Sequence, residues 1–208
     1  MKIEKEQWQM VTALVAVAVV ATILLGLTDI VTRTPIAKAR KAALVSALDQ
    51  VLPAHANDPL TDTRTMASDR PGAEPITVYL ARNNNGAIAA LAWEVIAPDG
   101  YSGSIHILMG VHPDGRIQAI RITDHRETPG LGDGIVTNHA WLQSFDGQSL
   151  TSVRWAVKKD GGDFDQFTGA TITPRAVVKA VHRGLELFRL HRQALLQPDD
   201  ESPAREAP

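Results

Sequence analysis

Ile76-Thr77-Val78-Tyr79-Leu80-Ala81, the tetrapeptide Asn83-Asn84-Asn85-Gly86 and the return segment Ala87–Ile96 decide the fold. β-Branched and aromatic residues on either side of an Asn/Gly cluster predict two strands joined by a hairpin. The same pattern recurs downstream, where Ser104–His112 and Arg116–Thr123 flank Pro113-Asp114-Gly115. Beyond this second hairpin lies a glycine-rich loop, Thr128-Pro129-Gly130-Leu131-Gly132-Asp133-Gly134, followed by a short helix expected near Ile135–Phe145. Val153–Lys158 reads as one more short strand. The last element is a helix over Pro174–Leu196, with Val177, Val178, Val181, Leu185 and Phe188 at helical spacing. Thr173 is its expected N-cap and Pro174 its first helical residue. Hairpins segregated from helices, with no internal repeat, argue α+β rather than a doubly wound parallel sheet.

Upstream of the hairpin the chain changes character. Gln7–Thr28 contains no charge, and Val11–Val20 is almost purely aliphatic. A helix rising ~1.5 Å per residue needs about 20 apolar residues to cross a bilayer core of about 30 Å. This run is long enough, and Trp8 sits near its entry as interfacial aromatics do. A cleaved signal peptide would place small residues soon after a shorter apolar core. Here the nearest Ala-x-Ala is Ala37-Lys38-Ala39, inside a basic stretch, so an uncleaved anchor is expected. Lys2 and Lys5 flank one side of the span, and Arg33, Lys38, Arg40 and Lys41 flank the other. That count alone puts the large domain in the cytoplasm, but long domains translocate largely regardless of charge. Pro35–Leu52 then reads as an amphipathic linker helix, with Ile36, Ala39, Ala43, Leu44, Ala47, Leu48 and Val51 on one face. Pro53–Pro75 is polar and proline-containing and reads as loop. The organisation expected is a tail and anchor over 1–30, linker helix and loop over 31–75, a folded domain over 76–196 and a disordered tail over 197–208.

The 208 residues contain no cysteine, which excludes disulfides, thiolate catalysis and Cys-ligated clusters within the chain. A net charge of −2 without a basic stripe argues against nucleic acid as partner. His106, His112, His125, His139 and His182 lack the spacing of a metal site, and neither His106 nor His112 has an acidic partner at useful spacing, so no metal is expected. Ser102 and Ser104 lack a nucleophile elbow, and no Gly-x-Gly-x-x-Gly precedes an acidic residue; no catalytic residue is assigned.

One segment carries chemistry: Asp165-Gln166-Phe167-Thr168-Gly169-Ala170-Thr171, immediately before the last helix. Small residues permit close backbone approach, and a phosphate at Thr171 would lie beside a helix N-terminus, where free N–H groups favour anions. The pattern Asp-x-x-(Ser/Thr)-Gly-Ala-Thr resembles the recognition sequence of flavin transferases. Taken with Tyr101-Ser102-Gly103, Met109-Gly110-Val111, His125–Gly132 and the N-terminal span, it resembles the FMN-binding G subunit of Rnf-type ion-translocating electron transport complexes. The C subunit of the sodium-translocating NADH:quinone reductase is related and stands as the alternative; chain length and the short N-terminus favour the Rnf family. A membrane-anchored flavin redox sensor is a further alternative, for which six residues before the apolar run offer no output domain.

The resemblance spans nearly the whole chain and is most specific between Gly100 and Gly184. It implies FMN joined through its phosphate to the Thr171 hydroxyl, with Asp165, Thr168, Gly169 and Ala170 completing the motif. It further implies contacts from Thr128, Gly130, Leu131 and Gly132, whose glycines, with Gly134, would let the loop lie against a planar ring. Tyr101 either borders the isoalloxazine or is simply packed. Glu127 either orients the loop near the flavin edge or pairs with Arg126 or Arg121. The implied protein is a single-pass inner-membrane subunit with its domain on the periplasmic side. It would pass electrons between neighbouring subunits of a ferredoxin/NAD redox complex after maturation by a flavin transferase, with no independent catalysis.

Overall fold

The structure is a computed structural model that describes residues 5–68 and 72–197. The chain divides after Leu44 into two compact units. The first is formed by most of helix α1 (Lys5–Val51), which runs on without a break where an anchor and a separate linker helix were expected. Pro35 lies inside it. A proline there removes one N–H from the helical ladder without requiring that the helix end. The helix contains an apolar window of mean hydropathy 2.7, none of it buried against protein. Its threonines return their hydroxyls to the preceding turn: Thr22 Oγ1 donates to Ala18 O at 2.8 Å and Thr28 Oγ1 to Leu24 O at 2.8 Å. Such internal bonding is what a hydroxyl in an apolar surrounding requires.

The second unit is built on a five-stranded antiparallel meander in the order β1-β2-β3-β4-β5. Its strands are β1 (Thr63–Met66), β2 (Ile76–Arg82), β3 (Ile88–Ala97), β4 (Ile105–Val111) and β5 (Ile117–Asp124). Both expected hairpins form. At the first, Asn83 Oδ1 accepts the N–H groups of Asn85 and Ala87, and Gly86 takes φ +78°. Strand β1 lies within the stretch read as loop. Its pattern is too short and polar to announce a strand, and its place is fixed by tertiary bonds. Arg64 donates to the carbonyls of Ala194, Leu195 and Gln197, closing the C-terminus of the last helix. Asn57 and Asp62 also bind Arg82 at the end of β2.

Helix α4 (Ile172–Leu196) covers one face of the sheet, packing on β3 and β4. Val177, Val181, Leu185 and Phe188 join Trp93, Val95, Ile107, Met109 and Ile120 in one buried cluster. Trp93 and Phe188 stack with centroids 5.7 Å apart. On the β4 surface, Gly110 admits the end of α1: a Cβ there would lie 1.9 Å from Val51 O. The helix expected near Ile135–Phe145 is two short helices, α2 (Gly134–Thr137) and α3 (His139–Gln143), broken at Asn138, whose side chain caps α3 through Trp141 N. Val153–Lys158 is not a strand. It is irregular chain with one bridge, Val157 to Phe164, leading into a 3-10 helix at Lys158–Asp160. Its regular-looking apolar residues serve a small aromatic cluster instead, where Trp155 lies 5.2 Å from Phe164 and 5.5 Å from His182. Beyond Gln197, the expected tail lies outside the described residues.

Candidate flavin site

The segment before α4 is held from behind by aromatic side chains. Trp141 Nε1 donates to Asp165 O at 2.8 Å, and the Trp141 and Phe167 rings meet edge-on at 5.2 Å. Gly134 is required by this packing, because a Cβ there would lie 2.9 Å from the Phe167 ring. Phe167-Thr168-Gly169-Ala170 then forms a tight turn closed by Ala170 N–H to Phe167 O at 3.1 Å, with Gly169 at φ +80°. The Asp165 carboxylate is exposed and paired with Lys158 at 2.6 Å.

That turn delivers Thr171 to the start of α4 as its N-cap, two residues earlier than the expected cap at Thr173. Pro174 accordingly occupies the third helical position, still in the first turn where its missing N–H is harmless. The Thr171 side chain makes no capping hydrogen bond. Thr173 is engaged elsewhere: buried to 1% exposure, its hydroxyl donates to Glu127 Oε2 at 2.5 Å.

Of the two readings of Glu127, the surface ion pair does not form. Neither Arg126 nor Arg121 pairs with it; Arg121 donates to Gln50 instead. Glu127 is only 4% exposed, and its carboxylate accepts Ser102 N–H on Oε1 at 3.0 Å and the Thr173 hydroxyl on Oε2. Two glycines make room for it. A Cβ at Gly132 would lie 2.7 Å from Oε2, and one at Gly100 would lie 2.9 Å from Oε1. The glycine-rich loop therefore works differently from the expectation. Gly130 alone of its three glycines has positive φ, at +78°; Gly132 and Gly134 are needed for space beside protein side chains.

Between these parts lies a cavity of about 150 Å³. Tyr101, Glu127, Thr128, Leu131 and Gly132 line one side; Gly169, Ala170 and Thr171 line the other, joined by Ile172 and Thr173. Of the residues assigned from sequence, Asp165, Thr168 and Gly130 do not line it. Ile172 and Thr173 carry no such assignment from sequence: Ile172 lies between the motif and the expected cap, and Thr173 reads as the cap itself. Tyr101 is 70% exposed, so it is not a packed core tyrosine, and Leu131 and Ile172 add an exposed apolar rim at 51% and 45%. A larger hollow of about 250 Å³ lies against α4 and β3, but it contains none of the motif residues. Among the described residues no cluster of His, Asp and Glu could hold a metal ion. His106 does find an acidic partner, Glu94 across the β3–β4 ladder, which sequence spacing had not revealed.

The cavity suits the head of a flavin nucleotide rather than the whole of it. Pockets that enclose a drug-sized ligand measure about 300–1,000 Å³. Here a small, mostly apolar hollow, a hydroxyl free of capping duty and an exposed aromatic and aliphatic rim lie together, an arrangement that leaves a ligand partly in the open.

The FMN-binding domain family matches residues 100–186, the span that contains every wall of this cavity. Over 187 residues the chain is 47% identical to the G subunit of the ion-translocating oxidoreductase complex of Cereibacter sphaeroides strain ATCC 17029, covering 87% of this chain and 84% of that one. It is 44% identical over 191 residues to the same-named subunit of Pseudomonas aeruginosa strain UCBPP-PA14, covering 88% and 89%. The crystal structure of Shewanella oneidensis NqrC superposes with a TM-score of 0.51 at 24% identity, covering 67% of this chain and 71% of that one, a likeness of fold. The chain, with its FMN-binding domain and its apolar N-terminal helix suited to a single-pass membrane anchor, belongs to the family of G subunits of ion-translocating oxidoreductase complexes.

Proposed function

We propose that this subunit carries FMN through a phosphoester to Thr171 and relays electrons between other subunits of its complex from the periplasmic side of the inner membrane. A bound flavin supplies the redox chemistry, accepting and passing electrons one or two at a time. The chain's residues attach, orient and shelter it. The observation that carries the assignment is the state of three nearby hydroxyls. Thr173 is buried and committed to Glu127, and Thr168 is exposed on a turn outside the cavity. Thr171 lines the cavity with its hydroxyl free of a capping bond. A phosphate there would meet the N–H groups of the first turn of α4, whose dipole favours an anion. Tyr101, Leu131 and Ile172 offer the apolar surface for a ring. Asp165 and Thr168, the exposed residues of this segment, are available to a flavin transferase during maturation. Identity of 44–47% to named G subunits favours that assignment over the quinone-reductase C subunit, which is supported by fold alone.

The test is the mass of the full-length protein made in cells that contain a flavin transferase. One FMN increment should map to the peptide holding Thr171. Thr171→Ala should abolish covalent fluorescence on a denaturing gel, and Thr168→Ser should keep it. Covalent FMN retained in Thr171→Ala would overturn the attachment site, and no increment in the wild type would overturn covalent attachment itself.

A further inference from the structure

Glu127 is the one acidic side chain buried among the described residues of the domain, and neither Lys nor Arg lines its cavity. Burying a carboxylate is costly unless donors satisfy it. Ser102 N–H and the Thr173 hydroxyl do so, one on each oxygen. These two bonds join three separate parts of the chain: the turn at Tyr101–Gly103 before β4, the loop that begins at Glu127 itself, and the first turn of α4. The glycines at 100 and 132 show that the backbone is shaped around this carboxylate, since any side chain at either position would collide with it. The same three parts form the walls of the cavity that Thr171 enters.

We infer that Glu127 is a positioning residue for the flavin site: its carboxylate clamps the walls of the cavity together and places a buried negative charge beside the bound cofactor, holding its reduction potential low. The inference rests on the proposed attachment of FMN at Thr171. Reduction adds electron density to a flavin, and a neighbouring anion in surroundings of low dielectric opposes that gain. The clamp acts on geometry and the charge acts on potential, so two variants separate them. Glu127→Gln preserves shape, keeps an oxygen for Ser102 N–H and can donate to the Thr173 oxygen, but removes the charge. Glu127→Ala removes both bonds.

The experiment uses the full-length protein in detergent, produced with a flavin transferase, and compares covalent FMN content with the midpoint potential from a redox titration followed by flavin absorbance. Glu127→Gln should keep more covalent FMN than Glu127→Ala and titrate at a more positive potential than the wild type. Glu127→Ala should load several-fold less FMN at Thr171. A Glu127→Gln protein that loads fully and titrates with the wild type would overturn the inference while leaving covalent attachment standing. Wild-type protein without covalent FMN would overturn the attachment and this inference with it. Should the Gln variant not fold, the redox-difference infrared spectrum of wild-type protein labelled with ¹³C-glutamate decides the question. A carboxylate band that shifts on reduction supports the charge beside the flavin, and a silent carboxylate region overturns it.

Discussion

Gly132 and Thr173 show how tightly the site is specified by single side chains. A methyl group at Gly132 would press on Glu127 Oε2 at 2.7 Å, Glu127 Cβ at 2.8 Å and Thr173 Oγ1 at 3.0 Å. None of these is the free end of a flexible chain, because both partners are buried and bonded to each other. Gly132→Ala should therefore cost about 1–3 kcal/mol of stability, as overpacking does, and alter the flavin absorbance while Thr171 remains modified. Unchanged melting and spectrum would mean the loop absorbs the methyl by moving outward. Thr173→Val is the complementary change. It keeps the volume but leaves Glu127 Oε2 without its donor, so thermal melting should report a loss of about 1–3 kcal/mol. A loss near zero would indicate that water replaces the hydroxyl. These residues were only half legible beforehand. Thr171, Gly132 and Tyr101 stood out through motif and glycine spacing, and they do line one cavity. The partner of Glu127 did not stand out, since Thr173 lies 46 residues away and looked like a helix cap.

At the level of elements, the loop of the proposed attachment site is framed by ion pairs whose acid response follows from their geometry. A hydrogen bond from Arg175 holds the Asp160 carboxyl below the usual carboxylate range, and a hydrogen bond from Arg154 does the same for Asp163. A lowered folded-state value means the contribution to stability is present above the ordinary carboxylate range, about pH 4, and is lost as pH falls through the depressed values. Tryptophan fluorescence from Trp141 and Trp155 should therefore stay level on acidification to about pH 4 and change below it. Asp163→Asn should weaken that acid step; a transition centred well above pH 4 would assign it to other groups. A second element-level prediction concerns the join between α1 and the sheet. Gly110→Ala would bring a methyl to 1.9 Å from Val51 O, a backbone atom that cannot rotate away. Displacing the last turn of α1 should cost about 1–3 kcal/mol or more in a thermal melt, and a wild-type melting temperature would show that this turn is free to shift. The two hairpins and the long final helix were readable because each has a strong local signal, in Asn83–Gly86, Pro113–Gly115 and the apolar spacing of 177–188. Strand β1 and the break at Asn138 were not, because Arg64 and the Asn138 cap act through partners distant in sequence or through one side-chain bond.

For the whole molecule, the question is which side of the membrane the flavin domain occupies. Helix α1 supplies a span with a window of mean hydropathy 2.7 and no protein burial, so its apolar side chains need lipid or other subunits around them. The flanking charges by themselves favour a cytoplasmic domain, since Arg33, Lys38, Arg40 and Lys41 outnumber Lys2 and Lys5. Two considerations weaken that count. Arg33 is paired with Asp29 at 2.5 Å, one helical turn away, and translocation of a domain this long depends little on flanking charge. The proposed periplasmic placement rests instead on the resemblance to the G-subunit family, against the charge count. A reporter that is active only after export, fused after Leu196, should be active, and a reporter confined to the cytoplasm should be silent at the same position. Moving the basic residues tests the reason as well as the result. Replacing Lys38, Arg40 and Lys41 with Gln should leave the exported reporter active, because in the proposed orientation the domain is exported despite their bias. Activity of the cytoplasmic reporter in the unaltered chain would reverse the assignment, returning the domain to the side that the charge count indicates.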